Sequence, residues 1–211
     1  MNETVLAIHR PKAPREDPSA LRPQDDPSLH KKTSRRVSKL EYFFSKKVGE
    51  AIGAYKMIED NDKILVAVSG GKDSMSLLKV LRYKQSIFPI NFDIIACYVD
   101  MGLDDERRAA LEKYFVSNNY SYTIEETKIW DSRKKKDGGT NCFWCAFNRR
   151  KKLFQTADKL GCGKIALGHH KDDIAETFLL NVFFNGEIST MLPNQPLFKK
   201  IALSYRRRRF S

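Results

Sequence analysis

The run Ile64-Leu65-Val66-Ala67-Val68, broken at once by Ser69-Gly70-Gly71-Lys72-Asp73-Ser74 and resumed by the apolar pair Leu77-Leu78, constrains this chain more than any other stretch. Five consecutive apolar residues suit a strand buried on both faces, the habit of parallel sheets. A polar turn with two glycines between that strand and a helix makes a strand-turn-helix unit, and the unit recurs. Further strands are expected near residues 92–99, 121–126 and 164–167, with helices over 75–83, 104–117, about 145–160 and 172–184. Alternation of this kind predicts an α/β fold: an open, Rossmann-like parallel sheet with helices on both faces and ligands outside the carboxyl ends of the strands. Ahead of it, from Leu40 onward, Phe44, Val48, Ile52, Tyr55 and Ile58 recur at three- or four-residue spacing and predict an amphipathic helix against the sheet.

The turn itself suits pyrophosphate. Gly70 and Gly71 let backbone N–H groups approach oxygens, the following helix start adds positive partial charge, and Lys72 supplies a full one. Ser69 and Ser74 can donate further hydrogen bonds, and Asp73 can hold a magnesium ion against the phosphates. A Walker A loop requires glycine at the position of Val66, so that pattern fails, and no Gly-x-Gly-x-x-Gly fingerprint is present. The bland alternative is an ordinary Gly-Gly turn.

Two further constellations follow. Gly168-His169-His170-Lys171-Asp172-Asp173 again joins a strand end to a helix start; the carboxylates can position magnesium or a proton, or can simply cap the helix, and either histidine can donate to a phosphate. Cys142-Phe143-Trp144-Cys145 opens a helix after a polar segment. Thiols at that spacing suit a metal or cluster edge, a redox or sulfur-carrying pair, half a zinc site, or two buried thiols. No second ligand pair stands at the spacing zinc requires.

Ser69 to Ser74 resembles the SGGxDS loop of the PP-loop, or N-type, ATP pyrophosphatases. Gly168 to Thr177 resembles the GHHxDDxxET motif of the tRNA 2-thiocytidine synthetase (TtcA-like) family within them, and the likeness extends over roughly residues 36–195. The resemblance implies an adenine nucleotide alpha hydrolase-like fold that takes ATP and Mg2+ and cleaves between the α- and β-phosphates. AMP passes to the C2 carbonyl oxygen of a tRNA cytidine, or uridine, before sulfur displaces it. Implied nucleotide contacts are Val68, Ser69, Gly70, Gly71, Lys72, Asp73, Ser74, Val99, Gly168 and Asp173, with adenine against backbone at 66–68 and 97–99 and magnesium at Asp73. Implied catalytic groups are Lys72, Asp73, Asp173, Cys142 and Cys145. Cys142 and Cys145 match two ligands of the family's sulfur-carrying 4Fe-4S cluster, and Arg149-Arg150-Lys151-Lys152 matches its basic helix. The third cysteine is expected beyond the Asp172-Asp173 helix and has no match, because no cysteine follows Cys162. Cys97 and Cys162 read as structural, with Cys162 the alternative ligand. Implied partners are tRNA and a sulfur donor such as a cysteine desulfurase, with homodimer formation left open. Two competing readings are a lysidine-synthetase-like ligase, which needs no thiols, and a nucleotide- and RNA-binding remnant without catalysis.

Bulk properties agree with a polyanionic partner. Lys and Arg number 38 against 26 Asp and Glu, a net charge of +12, with clusters at 133–136, 149–152 and 206–209. No apolar run reaches the roughly 20 residues needed to span a bilayer, and the N-terminus lacks the apolar stretch of a secretory signal, so the expected location is the cytoplasm. Residues 1–36 hold five of the eight prolines and few large apolar side chains, and are expected to form a disordered basic arm. Residues 37–195 are expected to form one ATP-binding domain. Residues 196–211 read as a basic tail or shortened domain end.

Overall fold

The computed structural model describes residues 7–10, 39–102, 104–127 and 142–196. In chain order they form β1 (Ala7–Arg10), α1 (Lys39–Ala54), β2 (Asp62–Val68), α2 (Lys72–Ile87), β3 (Phe92–Asp100), α3 (Asp105–Ser117) and β4 (Tyr122–Glu126). There follow α4 (Cys142–Lys159), β5 (Lys164–Leu167), α5 (Lys171–Leu180), a π turn over Asn181–Asn185 and β6 (Asn194–Pro196). The strand order is β4-β3-β2-β5-β1-β6. Strands β4, β3, β2 and β5 run parallel, with Val68 opposite Tyr98, Val66 opposite Ala166 and Asp100 opposite Glu126.

Alternate residues of the central strands face opposite sides, as the two-residue period of a strand requires. Ile64, Val66 and Val68 of β2 and Ile94, Ala96 and Tyr98 of β3 pack with Leu77, Leu78 and Leu81 of α2, joined by α1 and α3. Leu65 of β2, Cys97 and Val99 of β3 and Ile165 of β5 pack on the other side with Leu153 and Ala157 of α4. Helices therefore cover both faces, as the apolar runs foretold.

The edges depart from expectation. Ala7–Arg10, inside the stretch expected to lack structure, pairs antiparallel with β5, placing Ala7 opposite Leu167, and β6 pairs parallel with β1. The parallel sheet thus gains a mixed edge. Helix α1 ends at Ala54, so Tyr55 and Ile58 lie outside it; Phe44 and Tyr55 are exposed, and the turn after the helix buries Met57 and Ile58 instead. The helix expected over 172–184 breaks after Leu180, where Asn181 turns its amide onto the Ser189 carbonyl and hydroxyl, both at 3.0 Å. Large apolar side chains along α5 and the π turn stay in solvent, with Phe183 76%, Phe184 79% and Ile188 89% exposed. Among the described residues no helix is long and apolar enough to cross a membrane.

At the amino ends of β2 and β5, the Lys164 ammonium is buried, 3% exposed, and pairs with the Asp62 carboxylate, with Glu59 at 3.6 Å. Removing one member of such a pair leaves a desolvated charge, whereas removing the charge itself does not. Asp62→Ala is therefore expected to lower stability by about 3 kcal/mol, and Lys164→Met by less, as read from urea denaturation midpoints.

Candidate functional site

Strand β2 ends at Val68 and the chain turns through Gly70, whose φ of +82° lies where side chains are strained. The turn is braced from within. The Ser69 N–H donates to Ser74 Oγ at 3.1 Å, Ser74 Oγ donates to the Gly71 carbonyl at 3.0 Å, and the Gly71 N–H donates to Ser69 Oγ at 3.4 Å. Ser74 is buried and its one proton is used in this brace, so it shapes the turn and does not stand open as a donor. Gly71 caps α2 with no side-chain hydrogen bond, which leaves the first-turn N–H groups of α2 for an incoming anion beside the exposed Lys72. Asp73, in that turn, has no hydrogen-bond or ion-pair partner among the described residues.

The second motif is pressed against the first. A β-carbon on Gly168 would lie 3.0 Å from the Ser74 nitrogen and 3.1 Å from the Asp73 carbonyl carbon and Ser74 Cα. Only glycine lets the β5 exit meet the α2 entrance so closely. The Asp173 carboxylate accepts the His170 N–H at 2.7 Å and so caps α5, while Thr177 Oγ1 donates to the Asp173 carbonyl at 2.7 Å. Asp173 is thereby committed through one oxygen to holding its own helix start. The Nδ1 atoms of His169 and His170 are buried without a hydrogen-bond partner among the described residues. Burial holds the His169 imidazole below its usual pKa; Asp173 opposes this, and Arg150, His170 and Arg149 add to it. His169 is therefore neutral at pH 7, and the basic face of α4 stands close enough to influence it.

Sequence reasoning reached Val99 at the carboxyl end of β3 but overlooked the charged groups gathered around it. Asp100, buried, accepts the Gly102 N–H at 2.8 Å and lies 3.5 Å from Arg108 Nη1, whose Nη2 reaches Glu126 at 2.6 Å. Thr127 Oγ1 donates to the Asp100 carbonyl at 2.8 Å. Arg107 lays its stem over Gly70, with Cδ 3.2 Å and Cγ 3.4 Å from the site of a β-carbon there. No motif announces these residues. The signal was topological: a helix following the neighbouring parallel strand begins beside the same turn. Val68 and Val99 are buried in opposite faces of the sheet, which leaves only their backbone to face the carboxyl edge.

The cysteines divide. Cys142 opens α4, and its side chain lies outside the described residues; Cys145, one turn on, is half-buried. Lys152 of the same helix pairs with Glu125 at the end of β4, at 2.9 Å. Cys97 and Cys162 lie buried beneath α4 in one apolar cluster, where both pack as small hydrophobes. Burial first, then the charge of Glu125, pushes the Cys97 thiol up to about 12, and burial pushes Cys162 up to about 11. Among the described residues no three of His, Cys, Asp and Glu gather to hold a metal ion.

A family model described as a PP-loop domain matches residues 38–200. The chain belongs to the PP-loop family. Among similar proteins is a tRNA-cytidine(32) 2-sulfurtransferase of Acidovorax ebreus, 42% identical over 165 residues, covering 77% of this chain and 52% of that one. The namesake of Cronobacter sakazakii is 40% identical over 167 residues, covering 78% and 54%. The chain spans about half the length of the curated relatives it matches. Among solved structures, the U34-tRNA thiolase NcsA from Methanococcus maripaludis, with its [4Fe-4S] cluster, superimposes with a TM-score of 0.59 at 23% identity, covering 72% of this chain and 52% of that one. That likeness shows a common PP-loop fold.

Two expectations follow from the geometry. Gly168→Ala must displace the first turn of α2 and is expected to lower stability by about 1–3 kcal/mol, whereas Gly163→Ala, with nothing within 4 Å, is expected to change it little by thermal unfolding. The raised thiols predict a pH trend. The unfolded chain releases these protons near the usual value of about 9, the folded chain only near 11 and 12, so folding stability falls as pH rises from 9 through those values. At pH 8, alkylation of native protein followed by mass spectrometry should leave Cys97 and Cys162 unlabelled, and denaturation should expose both.

Proposed function

We propose that this PP-loop domain performs the adenylation step of tRNA thiolation. The observation that carries the reading is the seating of Gly168 on the Asp73–Ser74 backbone, which makes the phosphate turn and the GHHKDD segment one site. Relatives named tRNA-cytidine(32) 2-sulfurtransferase support the substrate class.

ATP lies with its pyrophosphate on the first turn of α2 and Lys72, and Asp73, which has no partner among the described residues, would hold Mg2+, which would supply positive charge to the phosphates. The C2 carbonyl oxygen of a tRNA cytidine attacks the α-phosphate; the bond between the α-phosphorus and the bridging oxygen breaks, and pyrophosphate leaves. Lys72 stabilises the charge that accumulates on the departing oxygens. Asp173 fixes the α5 start that carries the histidines. Neutral His169 hydrogen-bonds a phosphate or ribose oxygen. The basic face of α4, with Arg149 and Arg150, receives the RNA backbone. Sulfur then displaces AMP at C2.

A 4Fe-4S cluster would supply that sulfur on an open iron, with Cys142 and Cys145 as two of its ligands. Among the described residues the donor set fits it only in part, since Cys97 and Cys162 are buried thiols. The adenylation half is what the residues here support. The thiol pair at the head of α4 favours thiolation over amine transfer, which requires no thiols. We assign the domain to 37–195 with Ala7–Arg10 added at its sheet edge, 196–211 as a basic tail, and the protein to the cytoplasm. Its partners would be tRNA, a sulfur donor such as a cysteine desulfurase, and a second copy in a homodimer.

Lys72→Ala or Asp73→Ala is expected to abolish tRNA-dependent release of pyrophosphate from ATP while leaving thermal unfolding near that of the parent. Unchanged release in both variants refutes the assignment.

A further inference from the structure

Resting on that reading of the turn, we infer that Arg107 is a second phosphate-binding group of the site, a cation delivered from α3 onto the pyrophosphate end of the nucleotide. Its stem lies on Gly70, the residue at the crest of the phosphate turn, with Leu111 behind it at 3.6 Å from the same point. The guanidinium is tethered at its Nε. Asp104 caps α3 by accepting the Arg107 N–H at 2.8 Å through Oδ1 and holds Arg107 Nε at 3.1 Å through Oδ2. One carboxylate thereby fixes both the backbone and the side chain of the arginine. The two terminal nitrogens have no hydrogen-bond partner among the described residues, and the side chain is 56% exposed.

The neighbouring arginine behaves differently. Arg108 spends its nitrogens on Asp100 and Glu126 and ties the carboxyl ends of β3 and β4 together. Among the described residues Arg107 makes no such structural bridge, and Asp104 is the one carboxylate that engages it. A planar guanidinium presented at the crest of a pyrophosphate-binding turn matches phosphate oxygens in geometry and charge. Lys72 then approaches the phosphates from α2 and Arg107 from α3.

The stem could equally serve as a cover for Gly70, and the test separates the two roles. Arg107→Met keeps an unbranched apolar stem and removes the charge. Binding of ATP, inorganic pyrophosphate and AMP to the full chain is measured with Mg2+ by titration calorimetry, for the parent, Arg107→Met, Arg107→Lys and Lys72→Met. The expected result is that Arg107→Met weakens ATP and pyrophosphate about tenfold, as for loss of one charge-assisted hydrogen bond, leaves AMP within about twofold, and is partly restored by Arg107→Lys. Equal affinities for all three ligands in Arg107→Met and the parent, or an equal loss for AMP and ATP, overturns the inference while a loss in Lys72→Met upholds the site. A parent chain that binds neither ATP nor pyrophosphate overturns the reading of the turn and the inference with it.

Discussion

The contact of Gly168 with the backbone of Asp73 and Ser74 governs the layout of everything at the carboxyl edge of the sheet. Strands β2 and β5 are parallel neighbours, so their exits lie side by side, and the two helix entrances that follow them compete for one space. A residue with a β-carbon at 168 would force the entrances apart. With glycine, the α2 dipole, the Lys72 ammonium, the Asp73 carboxylate and the α5 cap on Asp173 converge without any long-range loop having to order itself. The strands dictate where the site is; the glycine dictates how tightly it closes.

Charge is distributed to the same end. The helix starts of α2 and α5 point there, and burial lowers the His169 pKa, with the arginines of α4 adding to it. Carboxylates are present but engaged: Asp173 caps, Asp100 accepts from Gly102 and faces Arg108, Glu126 faces Arg108, and Glu125 faces Lys152. These anions position cations and backbone donors, and Asp73 stands apart from them with no partner among the described residues.

What was legible in the sequence was whatever depends on neighbours along the chain. The apolar runs at 64–68 and 94–99 located the buried strands, because burial on both faces demands unbroken apolarity, and the Gly-Gly turn and the Asp172-Asp173 pair located helix starts. Less legible was whatever depends on packing across the chain. Ser74 reads as a donor and proves to be a brace, since its partner, the Gly71 carbonyl, is set by the turn geometry. Cys97 and Cys162 are 65 positions apart and share one apolar cluster only because β3 and the turn before β5 are brought together beneath α4. Arg107 had no motif to mark it, as its role comes from the overlap of α3 with a turn on the adjacent strand. At the edge, Ala7–Arg10 carries no long apolar run, and pairing with β5 creates the strand.

The apolar side chains left in solvent along α5 and the π turn bear on how the isolated chain behaves as a colloid. Phe183, Phe184 and Ile188 form part of an adhesive face, while the net charge of +12 drives copies apart. The two tendencies have different ranges. Repulsion acts over about 10 Å at 0.1 M salt and shrinks to about 3 Å at 1 M, whereas apolar contact acts only on touching and is little affected by screening. Dispersal of this chain in water is therefore a property of the medium as much as of the sequence. Added salt, or a polyanion that neutralises the basic surface, shifts the balance toward self-association through that face.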